Sequence, residues 1–266
     1  INAKKQSIKN PVLLYGATEH KAVPNTLKHW NSVLDVNAEV LAIPVDSNGI
    51  LDLNFIAEHI NNALMICTMA VNNETGVYQD LPAIEQVIRS RNKNVSWMVD
   101  CVQALGKQAL ALSNTTIDYA PFSGHKLYAP KGIGFLYIRS GSAYTPFIAG
   151  GGQESGMRSG TENLPGIAGL NKLFSMLLDK SDDTFKPISI LNSYRSQLQS
   201  AIKDTFGDIT FNHDFAYSVP TTLNFAVNDL TSKEVIDLFD AAGIRVSGGS
   251  ACSTGASTSF VLDAIP

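Results

Sequence analysis

The chain has 266 residues, of which 44% are hydrophobic and 17% are charged, so it can bury a large core in one or two domains. Its net charge of −4 gives no reason to expect a nucleic-acid partner or an anionic membrane surface. No apolar run in the sequence approaches the length needed to span a bilayer.

The first half of the chain alternates short apolar runs with segments of helical periodicity. We predict strands in PVLLYG (11–16), EVLAIPV (39–45), ALMICTMAV (63–71), VSWMVDCV (95–102) and GIGFLYIR (132–139). Apolar residues recur at helical spacing in 51–62 and 81–93. This alternation predicts an α/β fold with a mostly parallel sheet, whose ligand site lies at the carboxyl ends of the strands.

The pattern changes from about Gly166 onward. Two helices are predicted in 166–180 and 188–206, and they are followed by a strand in 221–227, a helix in 231–243 and a strand in 244–249. This order is typical of a separate, smaller α+β domain. We therefore expect a large domain over 1–165 and a small domain over 166–266.

The stretch SGHKLYAPKGIG (123–134) places His125 and Lys126 among turn residues, in a region poor in other charge. Apolar, strand-like sequence flanks it on both sides, which favours an enclosed position. A lysine enclosed among apolar strands can become a nucleophile or a Schiff-base former. On this stretch alone, a solvated loop lysine is an equally good interpretation.

Several other polar residues follow the predicted strands. If the strands are parallel, one edge of the sheet gathers His20, Asn72, Asn73, Glu74, Asp100, Gln103, Ser123, His125 and Lys126. Singly, each has a structural explanation as a turn residue, a helix cap or a packed histidine. Together they suit pyridoxal 5'-phosphate, which needs a lysine for its aldehyde, a carboxylate for its ring nitrogen and donors for its oxygens.

Six motifs also carry a family resemblance along essentially the whole chain. They are TEHKAV, AVNNETGVYQD, VDCVQALGK, SGHKLYAPKGIG, GGGQESGMRSGTEN and SGGSACSTG, in this order. The sequence resembles the cysteine desulfurases, in the class V branch of the fold-type I pyridoxal-phosphate enzymes. The resemblance implies a large domain with a mostly parallel sheet and a smaller α+β C-terminal domain.

The resemblance also implies a cofactor site. Lys126 is then the Schiff-base lysine, Asp100 pairs with the pyridinium nitrogen, and His20 stacks on the ring and helps to transfer protons. The remaining cofactor residues implied are Gln103 and Asn72 at the phenolic oxygen, and Ser123 and His125 at the phosphate.

Two residues of the GGGQESGMRSGTEN motif are implied to act beside this site. Thr161 matches a threonine that reaches the phosphate bound to the neighbouring subunit, which implies a homodimer. Arg158, together with Asn72, is expected at the substrate. Ser155 stands where the family usually has arginine, which leaves its contacts undefined.

The resemblance gives Cys252 the decisive role. In this family a cysteine at that position takes the sulfur of L-cysteine, leaving L-alanine and an enzyme persulfide, and it must be a thiolate to do so. The sulfur then passes to an acceptor protein, such as an iron–sulfur scaffold or a thiolation relay. Judged alone, Cys252 could be an incidental small residue of a Gly/Ser loop.

The other two cysteines receive no catalytic role. Cys67 lies in an apolar strand and is expected to be an inert core thiol, and Cys101 is given no role. Three scattered cysteines are too few for a disulfide framework or a zinc site, and they fit a reducing cytoplasm.

Three alternatives to a cysteine desulfurase stay open. The chain could be a selenocysteine lyase, a class V aminotransferase, which has no need of Cys252, or a catalytically silent scaffold, which could lose Lys126. We also expect a truncated chain, because the family carries an N-terminal phosphate-binding turn and a C-terminal substrate-binding arginine that have no match here.

Overall fold

A computed structural model describes residues 8–179, 181–249 and 259–266. Its centre is a six-stranded sheet with the order β2-β1-β3-β4-β5-β6, in which β1 to β5 run parallel and β6 runs antiparallel to β5. The strands are β1 (Val12–Gly16), β2 (Glu39–Ile43), β3 (Ala63–Met69), β4 (Ser96–Asp100), β5 (Tyr119–Ser123) and β6 (Gly134–Ile138). The mostly parallel sheet predicted from the sequence is confirmed.

Three helices lie between the strands of the first half. They are α1 (Ala22–Val33), α2 (Leu53–His59) and α3 (Leu81–Arg91). The side chains of Asp52 and Asp80 cap α2 and α3 by accepting backbone N–H groups of the first turn, which fixes where these helices begin.

Alternate residues of the strands build two cores on opposite faces of the sheet. One face packs Leu14, Ile66 and Val99 into the main core with residues of α2 and α3. The other face packs Leu13 and Cys67 with residues of α1. Side chains alternate between faces with a period of two, so nearly continuous apolar strands are what a sheet covered on both sides requires.

The second half contains mainly helices. Its elements are α4 (Leu164–Leu178), α5 (Ile188–Phe206), β7 (Ile209–Phe211), β8 (Phe225–Val227), α6 (Ser232–Ala241) and α7 (Phe260–Asp263). The strands β7 and β8 form a separate antiparallel pair. Leu170 and Leu173 of α4 pack on Leu127 and Ala129, so this helix supports the end of β5. The division at 165/166 stays a prediction.

Four of the helices and strands differ from the sequence prediction. The helices α1 and α7 and the strand β7 were not predicted, and the strand predicted in 244–249 does not form in the structure. In that segment Ile244 is 51% exposed and Val246 is 37% exposed, and β8 pairs with β7 instead. An apolar alternation forms a strand only where a neighbouring strand edge pairs with it.

No helix in the described ranges is long and apolar enough to cross a bilayer.

Candidate active site

A cavity of about 750 Å³ opens at the carboxyl ends of β1, β3, β4 and β5, on the face of the sheet that carries α1. Parallel strands end at one edge, so residues distant in sequence meet there. Seven of the nine residues that the sequence predicts at this edge line the cavity, and these are His20, Asn73, Asp100, Gln103, Ser123, His125 and Lys126.

Asp100 is the acidic group of the cavity and the last residue of β4. Its Oδ1 accepts the backbone N–H of Val102 at 2.9 Å. Burial raises the pKa of this carboxyl, while the Val102 hydrogen bond and the nearby His20 partly lower it. Asp100 is therefore a desolvated carboxyl whose ionised form a cationic ligand would stabilise.

His20 follows β1 and presents a defined edge of its ring. Its Nδ1 accepts the backbone N–H of Ala22 at 3.2 Å. Because an accepting nitrogen carries no proton, a neutral His20 has its proton on Nε2. This nitrogen is left as the group that can exchange a proton with a ligand.

Ser123, His125 and Lys126 come from the end of β5 and the single 3-10 turn that follows it, Gly124–Leu127. Ser123 Oγ lies 2.8 Å from His125 Nδ1, so the two side chains form one hydrogen-bonded pair. A Cβ on Gly134 would lie 2.4 Å from the carbonyl oxygen of Phe122. Only glycine therefore allows β6 to approach β5 closely at the residue before Ser123.

Lys126 lies on the cavity wall, but the residue is exposed, not enclosed as the sequence led us to expect. The 3-10 turn places it beyond the end of β5, where the apolar strands no longer surround it. The more enclosed of the two lysines of this region is Lys107, which is half-buried and was missed in the sequence analysis. Burial, followed by the charge of Lys126, lowers the pKa of Lys107, and its Nζ donates a hydrogen bond to Gln103 Oε1.

The structure corrects the assignment of Asn72 to the cofactor and the substrate. Asn72 is 4% exposed, its amide donates to the carbonyl of Thr18, and its Oδ1 accepts the backbone N–H groups of Glu74 and Thr75. The hydrogen-bonding groups of the Asn72 side chain are thus engaged within the turn, and Asn73 lines the cavity instead. Asn73 Oδ1 is buried without a hydrogen-bond partner, as expected of a group that awaits a ligand.

A second buried acid, Glu19, lies beside the cavity and was also missed. It is 2% exposed, and its Oε2 has no hydrogen-bond partner. Burial and the charge of Asp100 raise the pKa of Glu19 well above its usual range, although a backbone hydrogen bond at Met69 opposes the shift. The sequence feature that could have indicated Glu19 is its position next to His20 in the TEHKAV motif.

Two predicted site residues lie elsewhere, and a third lies outside the described part of the chain. Arg158 donates to the carbonyl of Gly160 at 2.9 Å, and Thr161 is exposed; neither lines the cavity of its own chain. Cys252 lies outside the described residues.

The described cysteines are poor nucleophiles. Cys67 and Cys101 are 1% and 0% exposed. Burial, with the nearby carboxylates, raises the pKa of Cys67 well above its usual value and that of Cys101 to about 12. The core position predicted for Cys67 is confirmed, although the residue also contributes to the cavity wall.

Comparison with known proteins places the chain in a wider group. The family described as "Aminotransferase class-V" matches residues 2–264. Over 238 residues, or 89% of the chain, it is 35% identical to a cysteine desulfurase of Nostoc sp.. Over 257 residues, or 95% of the chain, it is 34% identical to the cysteine desulfurase IscS of Buchnera aphidicola. The matched regions are 58% and 61% of those two proteins, so the chain spans about three fifths of the length of these curated relatives.

Solved structures agree with this placement. A NifS-like protein superposes with a TM-score of 0.85 at 31% identity, covering 98% of this chain and 67% of the other. SspA in complex with cysteine superposes with a TM-score of 0.78 at 28% identity, covering 99% of this chain and 71% of the other.

Proposed function

The chain belongs to the aminotransferase class-V family, and from this membership we propose that it is the principal part of a cysteine desulfurase. The proposed reaction takes sulfur from L-cysteine, releases L-alanine and leaves a persulfide on Cys252. The observation that carries the proposal is that Asp100, His20 and Lys126 line one cavity at the carboxyl ends of parallel strands.

The cavity residues fit pyridoxal 5'-phosphate, the cofactor of this family. The cofactor has a basic ring nitrogen, and Asp100 supplies a desolvated carboxylate to pair with it. It has an aldehyde, for which Lys126 supplies an amine on the same wall. Its oxygen atoms need donors, which are available from Asn73, Gln103, Ser123 and His125.

When bound, pyridoxal phosphate supplies an electron sink for the substrate carbon. The chain's own contribution is to hold the cofactor and move protons. Asp100 keeps the ring nitrogen protonated, because a buried anion beside that nitrogen favours its cationic form. The Nζ of Lys126 and the Nε2 of His20 are both suited to accept the proton from the substrate Cα.

Cys252 carries the sulfur-transfer step of the proposal. Its thiolate attacks the sulfur of the bound cysteine, an S–S bond forms, and the Cβ–S bond breaks with its electron pair remaining on the substrate. Protonation of the substrate carbon then gives alanine. The support is the position of Cys252 in SGGSACSTG and the match to relatives that are cysteine desulfurases.

An assay in which the protein is given L-cysteine and dithiothreitol tests this function. We expect sulfide and alanine in equal amounts.

Three variants test the assigned residues. Cys252→Ser should keep the cofactor's visible absorbance and release no sulfide, whereas the matched control Cys101→Ala, which removes a buried thiol, should keep releasing sulfide. Lys126→Ala should lose the absorbance of covalently held cofactor. Sulfide release by Cys252→Ser at the wild-type rate would contradict the proposal.

The partners are proposed on the same basis. We propose a homodimer in which Thr161 reaches the cofactor phosphate of the neighbouring subunit, a sulfur-acceptor protein of iron–sulfur assembly or thiolation, and a cytoplasmic location. Exposed apolar side chains near Thr161 support the dimer, since Phe147 is 79% exposed and Ile148 is 52% exposed. Arg158 is proposed to act near the substrate within that dimer.

A further inference from the structure

The turn that follows β4 packs tightly against the turn that carries Lys126. Gly106 has a φ of +75°, and a Cβ at this position would lie 2.9 Å from Cδ2 of Leu127. Lys107 lies within range of the charge of Lys126 and contacts Gln103, which lines the cavity together with Lys126.

The hydrogen bond from Lys107 Nζ to Gln103 Oε1 determines which way the Gln103 amide faces. An ammonium group has donors only, so the amide must turn its oxygen toward Lys107. The NH₂ group is then the part of Gln103 left for a ligand. Without a donor at position 107, either end of the amide could face the cavity, because the two orientations have nearly the same shape.

Lys107 also lies close to Lys126. The residue is half-buried, and Lys126 is near enough for its charge to help lower the pKa of Lys107. Two polar groups act on Lys107 there: Gln103 through its hydrogen bond and Lys126 through its charge. An anionic oxygen bound between Gln103 and Lys126 would therefore meet the amide donor of Gln103 and the charge of Lys126.

We propose that Lys107 is a positioning residue of the cofactor site, which fixes the amide of Gln103 with its NH₂ group toward the cavity. This inference rests on the proposed function, because the anionic oxygen in question is the phenolic oxygen of pyridoxal phosphate. Lys107 itself acts through Gln103 and is not given a contact with the substrate.

The test compares Lys107→Met with Lys107→Arg, and uses Lys93→Met, a change at an exposed loop lysine, as the matched control. Pyridoxal phosphate is titrated into cofactor-free protein and its affinity is measured. We expect about tenfold weaker binding for Lys107→Met, and binding within about twofold of wild type for Lys107→Arg and Lys93→Met. Equal affinity of Lys107→Met and wild type would overturn the inference.

A double-mutant cycle with Gln103→Leu separates positioning from general damage. If Lys107 acts through Gln103, the double variant binds about as weakly as Gln103→Leu alone, whereas additive losses would show that it does not. Thermal unfolding of each variant identifies any that fail to fold, and if Lys107→Met is one of them, Lys107→Ala takes its place in the titration and in the cycle.

A readout without cofactor keeps the two proposals distinguishable. In cofactor-free protein, the side-chain NH₂ resonances of Gln103 should move in Lys107→Met and return close to wild type in Lys107→Arg. Unchanged resonances in Lys107→Met would overturn the positioning role even if the wild-type protein proved not to bind pyridoxal phosphate, a result that would overturn the proposed function.

Discussion

Asn72 and Asn73 are neighbours in sequence, yet the structure gives their side chains different tasks, and this difference can be measured. Asn72→Ala should lower the free energy of unfolding by about 2–3 kcal/mol, because it leaves two buried N–H groups and the carbonyl of Thr18 without partners. Asn73→Ala should change it by less than about 0.5 kcal/mol and should weaken the binding of pyridoxal phosphate. Urea unfolding of the cofactor-free variants measures the first effect and cofactor titration the second.

Each asparagine serves as the control for the other. A stable Asn72→Ala protein with impaired cofactor binding would return the binding role to Asn72. The reverse pattern would confirm the reassignment to Asn73.

Glu19 should make the stability of the protein depend on pH. Its pKa is raised in the folded state, so the folded protein holds this proton more tightly than the unfolded chain does. The stabilisation is complete below the pKa of an unfolded glutamate and is lost as the pH rises through the raised pKa. Relative to Glu19→Gln, the wild type should therefore lose up to about 1.4 kcal/mol per pH unit within that window.

Urea unfolding from pH 4 to pH 8 measures this difference between Glu19→Gln and the wild type. Asp100 and Cys67 lie near Glu19 and titrate in both proteins, so the difference reports the proton of Glu19 together with the effect of its charge on these two neighbours. Parallel stability curves would contradict the assignment of a raised pKa.

The side chains of the site could be predicted from the sequence to the extent that strand order fixes them. Asp100 and Ser123 end strands of a parallel sheet, so their meeting in one cavity followed from the apolar runs that precede them. The sequence could not predict whether Asn72 or Asn73 faces the cavity, because this depends on which of the two adjacent side-chain amides forms the hydrogen bonds of the turn. The enclosure of Lys107 instead of Lys126 depends on how two turns pack, which no local pattern encodes.

The pairing of β5 with β6 depends on one glycine beside the site. Gly134 pairs with Ser123, and a Cβ on Gly134 would lie 2.4 Å from the carbonyl oxygen of Phe122. We expect Gly134→Ala to cost about 1–3 kcal/mol of unfolding free energy, because the two strands must separate, and to weaken cofactor binding through the displaced Ser123. The matched control is Gly152→Ala, where φ is −94° and an added Cβ meets no atom within 4 Å. Equal stability of the two variants would contradict this account.

The helices and strands show where local pattern succeeds and where it fails. Helix α5 has the bounds 188–206 predicted from its periodicity. Helix α1 was not predicted, although Val23, Leu27 and Trp30 have helical spacing. Its Pro24 lies in the first turn, where proline is tolerated. The absent strand in 244–249 is the opposite error, since its apolar alternation is present but its pairing edge is not.

Two side-chain contacts join the second half of the molecule to the first half beside the cavity. Ser259 donates a hydrogen bond to Glu74, which follows Asn73, and Lys21, which follows His20, lies over the ring of Phe260 at 5.0 Å. The cavity wall and the C-terminal segment are thus joined on two sides. Contacts between segments so distant in sequence arise from the tertiary fold, so they could not be predicted from local periodicity.

A shared site in a dimer has a consequence that mixing two inactive variants can test. Lys126→Ala and Thr161→Val should each impair sulfide release, and a homodimer sharing Thr161 across subunits would place the two defects in different sites of a mixed dimer. Random pairing makes about half of the dimers mixed, and each has one site with both residues intact, so about a quarter of the wild-type activity should return. Sulfide release after unfolding and refolding the two variants together measures this recovery.

The control mixes Lys126→Ala with Asp100→Asn, whose residues line the same cavity of one chain. Every site of that mixed dimer keeps one defect, so no activity should return. Light scattering must show dimers in both mixtures for the comparison to hold. Two results would contradict the assignment of Thr161 to the neighbouring subunit: recovery of activity in the control, or no recovery in the mixture with Thr161→Val. If Thr161 served the site of its own chain, every site of that mixed dimer would keep a defect.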